Sequence, residues 1–265
     1  MTIGLALSGG GALGAAHIGL LEELVRLDIV PEQICGTSAG SIVGLLFADG
    51  GLPTVQGFLT RLKQDRLIQR TGLVPRLPEA FLKKVGEALH ATIRARTFAE
   101  LPIGFSCVAT DIMRGEPVVL DDGDVVEAVL TSCAFPGVFN ARRGADCWLV
   151  DGGLTRNLPA DVVRERGASF VIGSSLYSIA EMAEQDREPN ISRMQTAMRA
   201  LNILQRELSR SQIALCEFCC IPPVGTYQWF DFRRIDEILE IGRREARARS
   251  SELVEKLDAA GRGGS

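Results

Sequence analysis

The stretch Ile34-Cys35-Gly36-Thr37-Ser38-Ala39-Gly40-Ser41 holds a Gly-x-Ser-x-Gly pentapeptide. Small residues flank a serine in this way where a strand turns sharply into a helix and presents the hydroxyl at its tip. The surrounding pattern agrees. Ile3-Gly4-Leu5-Ala6-Leu7 reads as a first strand, and 33–36 as a second. Residues 12–27 read as a helix, because Leu13, Ala16, Leu20, Leu24 and Leu27 recur at helical spacing, and 39–50 as another.

Working outward, short β-like runs continue to alternate with helical ones. Strands are predicted at 103–109 and 116–120, around the turn Met113-Arg114-Gly115, and at 147–150 and 169–175; helices at 123–132 and 159–166. This alternation predicts an α/β fold of three layers (α/β/α), with a mainly parallel central sheet and helices on both faces. Residues 52–100 interrupt the alternation with a helical pattern broken by Pro53, Pro75 and Pro78, and are expected to form an inserted helical cap. Residues 178–190, with Glu181, Glu184, Asp186 and Glu188, read as an exposed loop. Beyond it, 191–212 reads as helix, 213–220 as strand and 232–257 as helix. One domain is therefore expected over 1–257, with a flexible tail over 258–265.

The chain has 265 residues, 46% of them hydrophobic, which suffices for a buried core. Its net charge of -4 argues against a nucleic-acid partner. Between Arg61 and Arg96, nine Lys and Arg face three acids, Asp65, Glu79 and Glu87. That segment is either a solvated helical face or a surface for peripheral contact with an anionic membrane. The chain opens on a strand pattern rather than a signal peptide, and its longest apolar runs are short for a bilayer. With seven cysteines, an odd number, a reduced cytoplasmic setting is expected. Cys216, Cys219 and Cys220 lack a matching second pair for zinc and are expected to act as small apolar residues.

A serine hydroxyl needs a base within hydrogen-bond reach and donors for the oxyanion it creates. Ser38 at a helix N-terminus would have the helix dipole on its side, although an ordinary N-cap serine occupies the same place. Gly9-Gly10-Gly11-Ala12-Leu13-Gly14 also fits Gly-x-Gly-x-x-Gly between a strand and a helix. A dinucleotide site would need an acid at the end of the second strand, which ends instead in Cys35-Gly36-Thr37-Ser38. The same N–H-rich loop suits an oxyanion. The two histidines, His17 and His90, both precede Asp151, so the order Ser…Asp…His is unavailable with that acid. His17 reads as a core residue and His90 as an exposed one. The candidate base is then Asp151, at a predicted strand end before Gly152-Gly153, where burial would raise its basicity. An Asp-Gly turn would look the same in sequence.

At these residues the chain resembles the patatin-like phospholipase family. Three blocks carry the likeness: Gly9-Gly10-Gly11-Ala12-Leu13-Gly14, then Gly36-Thr37-Ser38-Ala39-Gly40, then Asp151-Gly152-Gly153. Ala109-Thr110-Asp111, Phe135-Pro136-Gly137-Val138-Phe139, Asn157-Leu158-Pro159 and Phe230-Asp231-Phe232 extend it. The resemblance implies a Ser38–Asp151 dyad that cleaves fatty-acyl esters of lipids through an acyl-enzyme. It implies oxyanion donors among Gly9, Gly10, Gly11 and Ala12, supported by Gly14, Gly36, Gly40, Gly152 and Gly153, and needs no metal or cofactor. Phe135, Val138 and Phe139 would line an acyl groove or belong to the core. One position departs from the pattern: most members carry Arg or Lys where this chain has Leu13. A cation there would shape the loop or add positive potential. Its loss leaves the backbone donors in place and keeps open a weakly active or non-catalytic lipid-binding role on the same fold.

Overall fold

The computed structural model describes residues 1–64, 78–176 and 193–262. Among the described residues eight strands form one mixed sheet: β1 (Ile3–Leu7), β2 (Gln33–Thr37), β3 (Gly104–Asp111), β4 (Glu116–Leu120), β5 (Arg142–Arg143), β6 (Trp148–Asp151), β7 (Phe170–Ser174) and β8 (Phe218–Cys220). Their order is β5-β6-β3-β2-β1-β7-β8, with β4 paired to β3. The pairs β2–β3, β1–β2, β1–β7 and β7–β8 are parallel; β3–β4, β3–β6 and β5–β6 are antiparallel. The expected α/β architecture is therefore present, with a parallel centre and antiparallel partners, β4 and β6, added to β3.

Both faces of the sheet are covered, and strand alternation assigns side chains to them. Leu5, Leu7, Ile34, Phe105, Cys107, Phe170 and Ile172 join the larger core, together with α1 (Ala15–Arg26) and α2 (Ala39–Gln64). Ala6, Cys35, Val108 and Val171 face the other way and pack with Ala160, Val162 and Val163. The elements on the second side are the short α5 (Ala160–Glu165) and, against it, α6 (Arg193–Ile213); between β4 and β5 runs α4 (Val125–Ser132).

The register of β3 sets the position of everything that follows. One of its edges carries β4 along Cys107–Asp111. The other must then carry both remaining partners: β2 along Gly104–Val108, and β6 along Ala109–Asp111. β2 and β6 thus run end to end toward each other. Thr37 pairs with Val108 and Asp151 with Ala109, on consecutive rungs.

The cap expected over 52–100 contains two helical arms: the second half of α2 and α3 (Pro78–His90); residues 65–77 lie outside the described set. Val55, Phe58, Leu62, Phe81, Leu82, Val85 and Leu89 belong to the main core, so the described residues of the cap pack as part of that core. α2 is long and apolar enough to cross a membrane by length and composition alone, but half of its most apolar window is buried, and the helix breaks at Gly50–Gly51, where Gly51 has φ 67°.

Three sequence boundaries are corrected. The predicted strand over 213–220 contracts to Phe218–Cys220. The predicted single helix over 232–257 is a 3-10 turn at Phe232–Arg234, then α7 (Ile235–Ala248) and α8 (Ser250–Arg262), separated at Arg249. The tail expected from 258 is helical to Arg262; the exposed-loop reading of 178–190 lies outside the described residues.

α7 packs on α1 through two glycines. A Cβ on Gly19 would strike the backbone of Gly242 and Arg243, and one on Gly242 would strike the carbonyl of Ala16. Backbone cannot yield as a side chain can, so Gly242→Ala is expected to cost about 1–3 kcal/mol. An unchanged urea midpoint would show that this helix pair has slack.

Candidate active site

Ser38 lies between β2 and α2 with φ 52°, a left-handed conformation rare for a residue with a Cβ. Several contacts fix it there. Its N–H donates to Ser132 Oγ at 2.8 Å, and Ser132 Oγ donates to the carbonyl of Val108 at 2.6 Å. Its own carbonyl accepts from Ser41 N (2.9 Å), Ser41 Oγ (2.6 Å) and Ile42 N (3.2 Å). The turn is tight enough that Gly36 meets the carbonyl of Gly40, and Gly40 that of Leu7. Ser132 was not singled out from the sequence; its one signal is a serine inside the apolar run Val129-Leu130-Thr131-Ser132-Cys133.

Asp151 ends β6 and is buried. Its backbone N–H donates to Ala134 O at 2.9 Å, and its carbonyl accepts from Thr110 Oγ1 at 3.0 Å. Oδ1 accepts from Gly153 N at 2.7 Å. Oδ2 is buried with no hydrogen-bond partner among the described residues. Burial pushes the carboxyl up to about 6, against the opposing pull of the Ser38 hydroxyl and the Gly153 amide. The hydroxyl is thus near enough to act on the carboxylate without closing a hydrogen bond, while remaining only half-buried itself. Gly152 fits against the carbonyl of Val108, and Gly153 lies among Asp151, Asn157 and Gln205.

The glycine-rich loop follows β1 and faces Ser38; a Cβ on Gly9 would come within 3.3 Å of the Ser38 Cβ. Of the four donors expected there, two are occupied. Gly9 N–H donates to Asn157 O at 3.1 Å, and Ala12 N–H to Trp229 O at 2.7 Å. The amides of Gly10 and Gly11 make no hydrogen bond among the described residues, and both residues border the cavity. Gly11 has φ 60°, and the Trp229 carbonyl lies where its Cβ would be. Gly14 abuts Ala39, which links the loop to the first turn of α2. Leu13 is buried in the main core and does not border the cavity.

His17 is fully buried, as expected of a core residue. Its Nε2 donates to Ser8 O at 2.9 Å, since a carbonyl can only accept, and Nδ1 accepts from Ser174 Oγ at 2.8 Å. Burial lowers its pKa to about 4. It therefore ties the root of the loop to β7 as a neutral group. His90 is exposed and away from the cavity.

Above Ser38 and Asp151 an apolar cavity opens between α2, α3 and the segment before α7, with about 1200 Å³ of atom-free space including its mouth. Leu46, Phe58, Phe81, Phe139 and Trp229 are among its walls; Asn202 and Gln205 of α6 add neutral polar groups, and no Lys, Arg or His borders it among the described residues. Of the three residues expected to line a groove or the core, Phe135 and Phe139 border the cavity, and Phe135 stacks on Trp229 at 6.2 Å. Cys133 also borders it, with its thiol pushed up to about 12 mainly by burial. The seven cysteines are free, and no group of three or more His, Cys, Asp or Glu is placed to hold a metal among the described residues.

The family model for patatin-like phospholipase matches residues 5–164, which contain the loop, the Ser38 turn and Asp151. The chain belongs to the patatin-like phospholipase family. A patatin-like phospholipase domain-containing protein of Caenorhabditis elegans is 28% identical over 292 residues, covering 95% of this chain and 21% of that protein. An NTE family protein of Mycobacterium bovis is 30% identical over 193 residues, covering 72% and 53%. Human patatin-like phospholipase domain-containing protein 6 is 26% identical, covering 91% and 20%. The chain thus spans between about a fifth and about half of the length of these relatives. The fold is shared with VipD of Legionella pneumophila (TM-score 0.54, 14% identity, 95% of this chain and 67% of that one). It is also shared with human GIVD cytosolic phospholipase A2 (TM-score 0.51, 12% identity, 98% and 58%).

Two stability predictions follow from the geometry of this patatin-like site. A carboxyl whose pKa is higher folded than unfolded binds extra protons in the native state, so its contribution worsens as pH rises through that window. Asp151→Asn should therefore be more stable than the parent by about 2–3 kcal/mol above pH 6.5, with the gap closing toward pH 4; a constant gap in urea unfolding across that range would contradict the buried-carboxylate assignment. Ser132→Ala leaves the Ser38 N–H and the Val108 carbonyl without their shared partner and should cost about 1–3 kcal/mol. No loss in the same measurement would mean that the turn is held without it.

Proposed function

We propose that the chain is a serine acyl hydrolase acting on fatty-acyl esters of lipids, with Ser38 as nucleophile and Asp151 as its base. The observation that carries this reading is Asp151 Oδ2, buried and unpartnered beside the Ser38 hydroxyl at the foot of an apolar cavity. A group with its pKa moved toward neutrality and one lone-pair-bearing oxygen unused is suited to take a proton.

In the proposed reaction the ester's acyl chain occupies the apolar cavity. Ser38 Oγ attacks the carbonyl carbon as its proton passes to Asp151. The charge that develops on the carbonyl oxygen meets the amides of Gly10 and Gly11, whose donors are uncommitted. Collapse breaks the bond to the alcohol, which leaves with the proton from Asp151, and Ser38 holds the acyl group. A water molecule then attacks that ester, gives its proton to Asp151, and the fatty acid departs as Ser38 recovers its hydrogen. The left-handed turn at Ser38 keeps the hydroxyl at the tip, and the chain Ser38 N–H, Ser132 Oγ, Val108 O holds that turn.

Ser38→Ala should lose ester hydrolysis and labelling by a fluorophosphonate carrying a fatty chain, a reagent class found in the complex of the human phospholipase of similar fold. Asp151→Asn should lose about 10²–10⁴-fold in turnover while staying folded. In the parent, kcat/KM should fall as pH drops through about 6, because the ionised carboxylate is the base. Full hydrolysis by Ser38→Ala would end this reading. Tight lipid binding by the parent without fatty-acid release would favour the binding role left open by Leu13.

A further inference from the structure

The run Cys216-Glu217-Phe218-Cys219 places two cysteines three residues apart, where the chain leaves α6 and enters β8. Both thiols are free, and they converge on one point. A Cβ on Gly173 of β7 would lie 2.7 Å from Cys216 Sγ and 3.0 Å from Cys219 Sγ. A larger residue at 173 would fill the space in which the two sulfurs meet. Cys220, the next cysteine along, is turned away. Strand alternation puts it in the larger core, while Cys219 packs in the smaller one with Cys216 at its margin. A pair, rather than a cluster of three or four, suits sulfur–sulfur chemistry better than a tetrahedral metal.

Backbone contacts hold the pair in this position. Phe218–Cys220 is laddered to Ile172–Ser174 of β7, with Cys219 opposite Gly173. Between the two cysteines, the Glu217 carboxylate accepts from the amide of Val171 at 2.6 Å and from Arg164 Nη2 at 2.6 Å. Cys216 N–H donates to Ile213 O at 3.1 Å, and its thiol to the carbonyl of Gln212 at 3.5 Å. Two cysteines bridge without backbone movement only where their side chains point together, which is what the shared place over Gly173 provides. The two thiols differ in setting: Cys216 is half-buried and Cys219 is buried. A hydrogen bond with Cys216, and then burial, hold the Cys219 thiol well above the usual thiol range. Cys219 therefore keeps its proton, while Cys216 is the sulfur that meets solvent.

We propose that Cys216 and Cys219 are a site of reversible redox modification, a dithiol that exchanges with small disulfides of the oxidised-glutathione class. Cys216, having lost its proton to solvent, attacks one sulfur of the small disulfide. The S–S bond of that molecule breaks, and one small thiolate leaves and takes up a proton. Cys219 then gives its proton to solvent and attacks Cys216 Sγ. The mixed disulfide breaks, and the second small thiolate leaves and is protonated in turn. Two protein thiols are oxidised to one disulfide, and the small disulfide is reduced to two thiols. Neither cysteine borders the cavity, so the inference does not rest on the proposed acyl hydrolase.

The test equilibrates the full chain with glutathione buffers of rising oxidised share and quenches in acid. Free thiols are blocked with N-ethylmaleimide under denaturing conditions; the protein is then reduced, and the released thiols are labelled with iodoacetamide. Cys216, Cys219 and Cys220 fall in one tryptic peptide, and its fragmentation reads each of them. Cys216 and Cys219 should take the second label together, along one two-electron titration curve, and lose it after excess dithiothreitol. Cys220 should keep the first label throughout. Cys216→Ser should remove the second label from Cys219, and Cys219→Ser should leave Cys216 as a glutathione adduct. The parent titration decides the matter where the variant at buried Cys219 does not fold. A parent whose Cys216 and Cys219 keep the first label at every ratio, while circular dichroism shows it folded, overturns the inference. So does a parent in which Cys216 stops at the glutathione adduct with Cys219 still a thiol, or one in which Cys220 takes the second label in place of either.

Discussion

The structure depends on one strand edge being shared. β3 is eight residues long, and β2 and β6 occupy consecutive parts of the same side of it. Because β2 is parallel to β3 and β6 antiparallel, their C-terminal ends must meet. No long loop needs to bring Ser38 to Asp151: Asp151 ends β6, Ser38 directly follows the last residue of β2, and those two strand ends lie one rung apart. Sites assembled on strand ends gain positional precision from the ladder, which a loop-borne pair would lack.

That meeting point concentrates unfavourable local conditions. Ser38 has a positive φ, and Asp151 is a buried carboxyl with an unused oxygen. Strain of this kind persists only where the surroundings over-determine it. Here they do so from distant parts of the chain. Ser132 ties the turn to Val108; Asn157 fixes Gly9; Trp229 fixes Ala12; and α7, packed on α1 through Gly19 and Gly242, holds the helix that the glycine-rich loop leads into. The C-terminal third is therefore part of the scaffold around Ser38 and Asp151, although it contains neither residue.

The sequence made the centre of the fold legible for a simple reason. Apolar strands alternating with helical periodicity, and glycines flanking Ser38, encode local backbone shape, and local shape can be read from neighbours in sequence. Asp151 stands out in the sequence only through its company, since no histidine follows His90 and the block Asp151-Gly152-Gly153 completes the resemblance; alone it reads equally as an Asp-Gly turn. What stayed hidden depends on partners far along the chain. Gly9, Gly10, Gly11 and Ala12 look equivalent in sequence, and only the carbonyls of Asn157 and Trp229, more than a hundred residues away, separate occupied donors from open ones. Ser132 has the same difficulty. The break at Arg249 was missed because helical periodicity continues on both sides of it. α6 was legible as a helix, but which of its faces points inward is a tertiary fact.

His17 and Asp151 give this site opposite acid responses. Burial lowers the imidazole pKa to about 4 and raises the carboxyl to about 6. Between roughly pH 6.5 and 4, the unfolded chain gains a proton that native His17 refuses, which lowers stability as pH falls. Over nearly the same window, native Asp151 takes a proton ahead of the unfolded chain, which raises it. Each effect is about 3 kcal/mol by the usual 1.36 kcal/mol per pKa unit, and the signs oppose. Both shifts have burial as their leading cause. Keeping a neutral imidazole under the glycine-rich loop and a reluctant carboxylate beside Ser38 is therefore nearly neutral for acid stability as a pair, whereas either alone would tilt it.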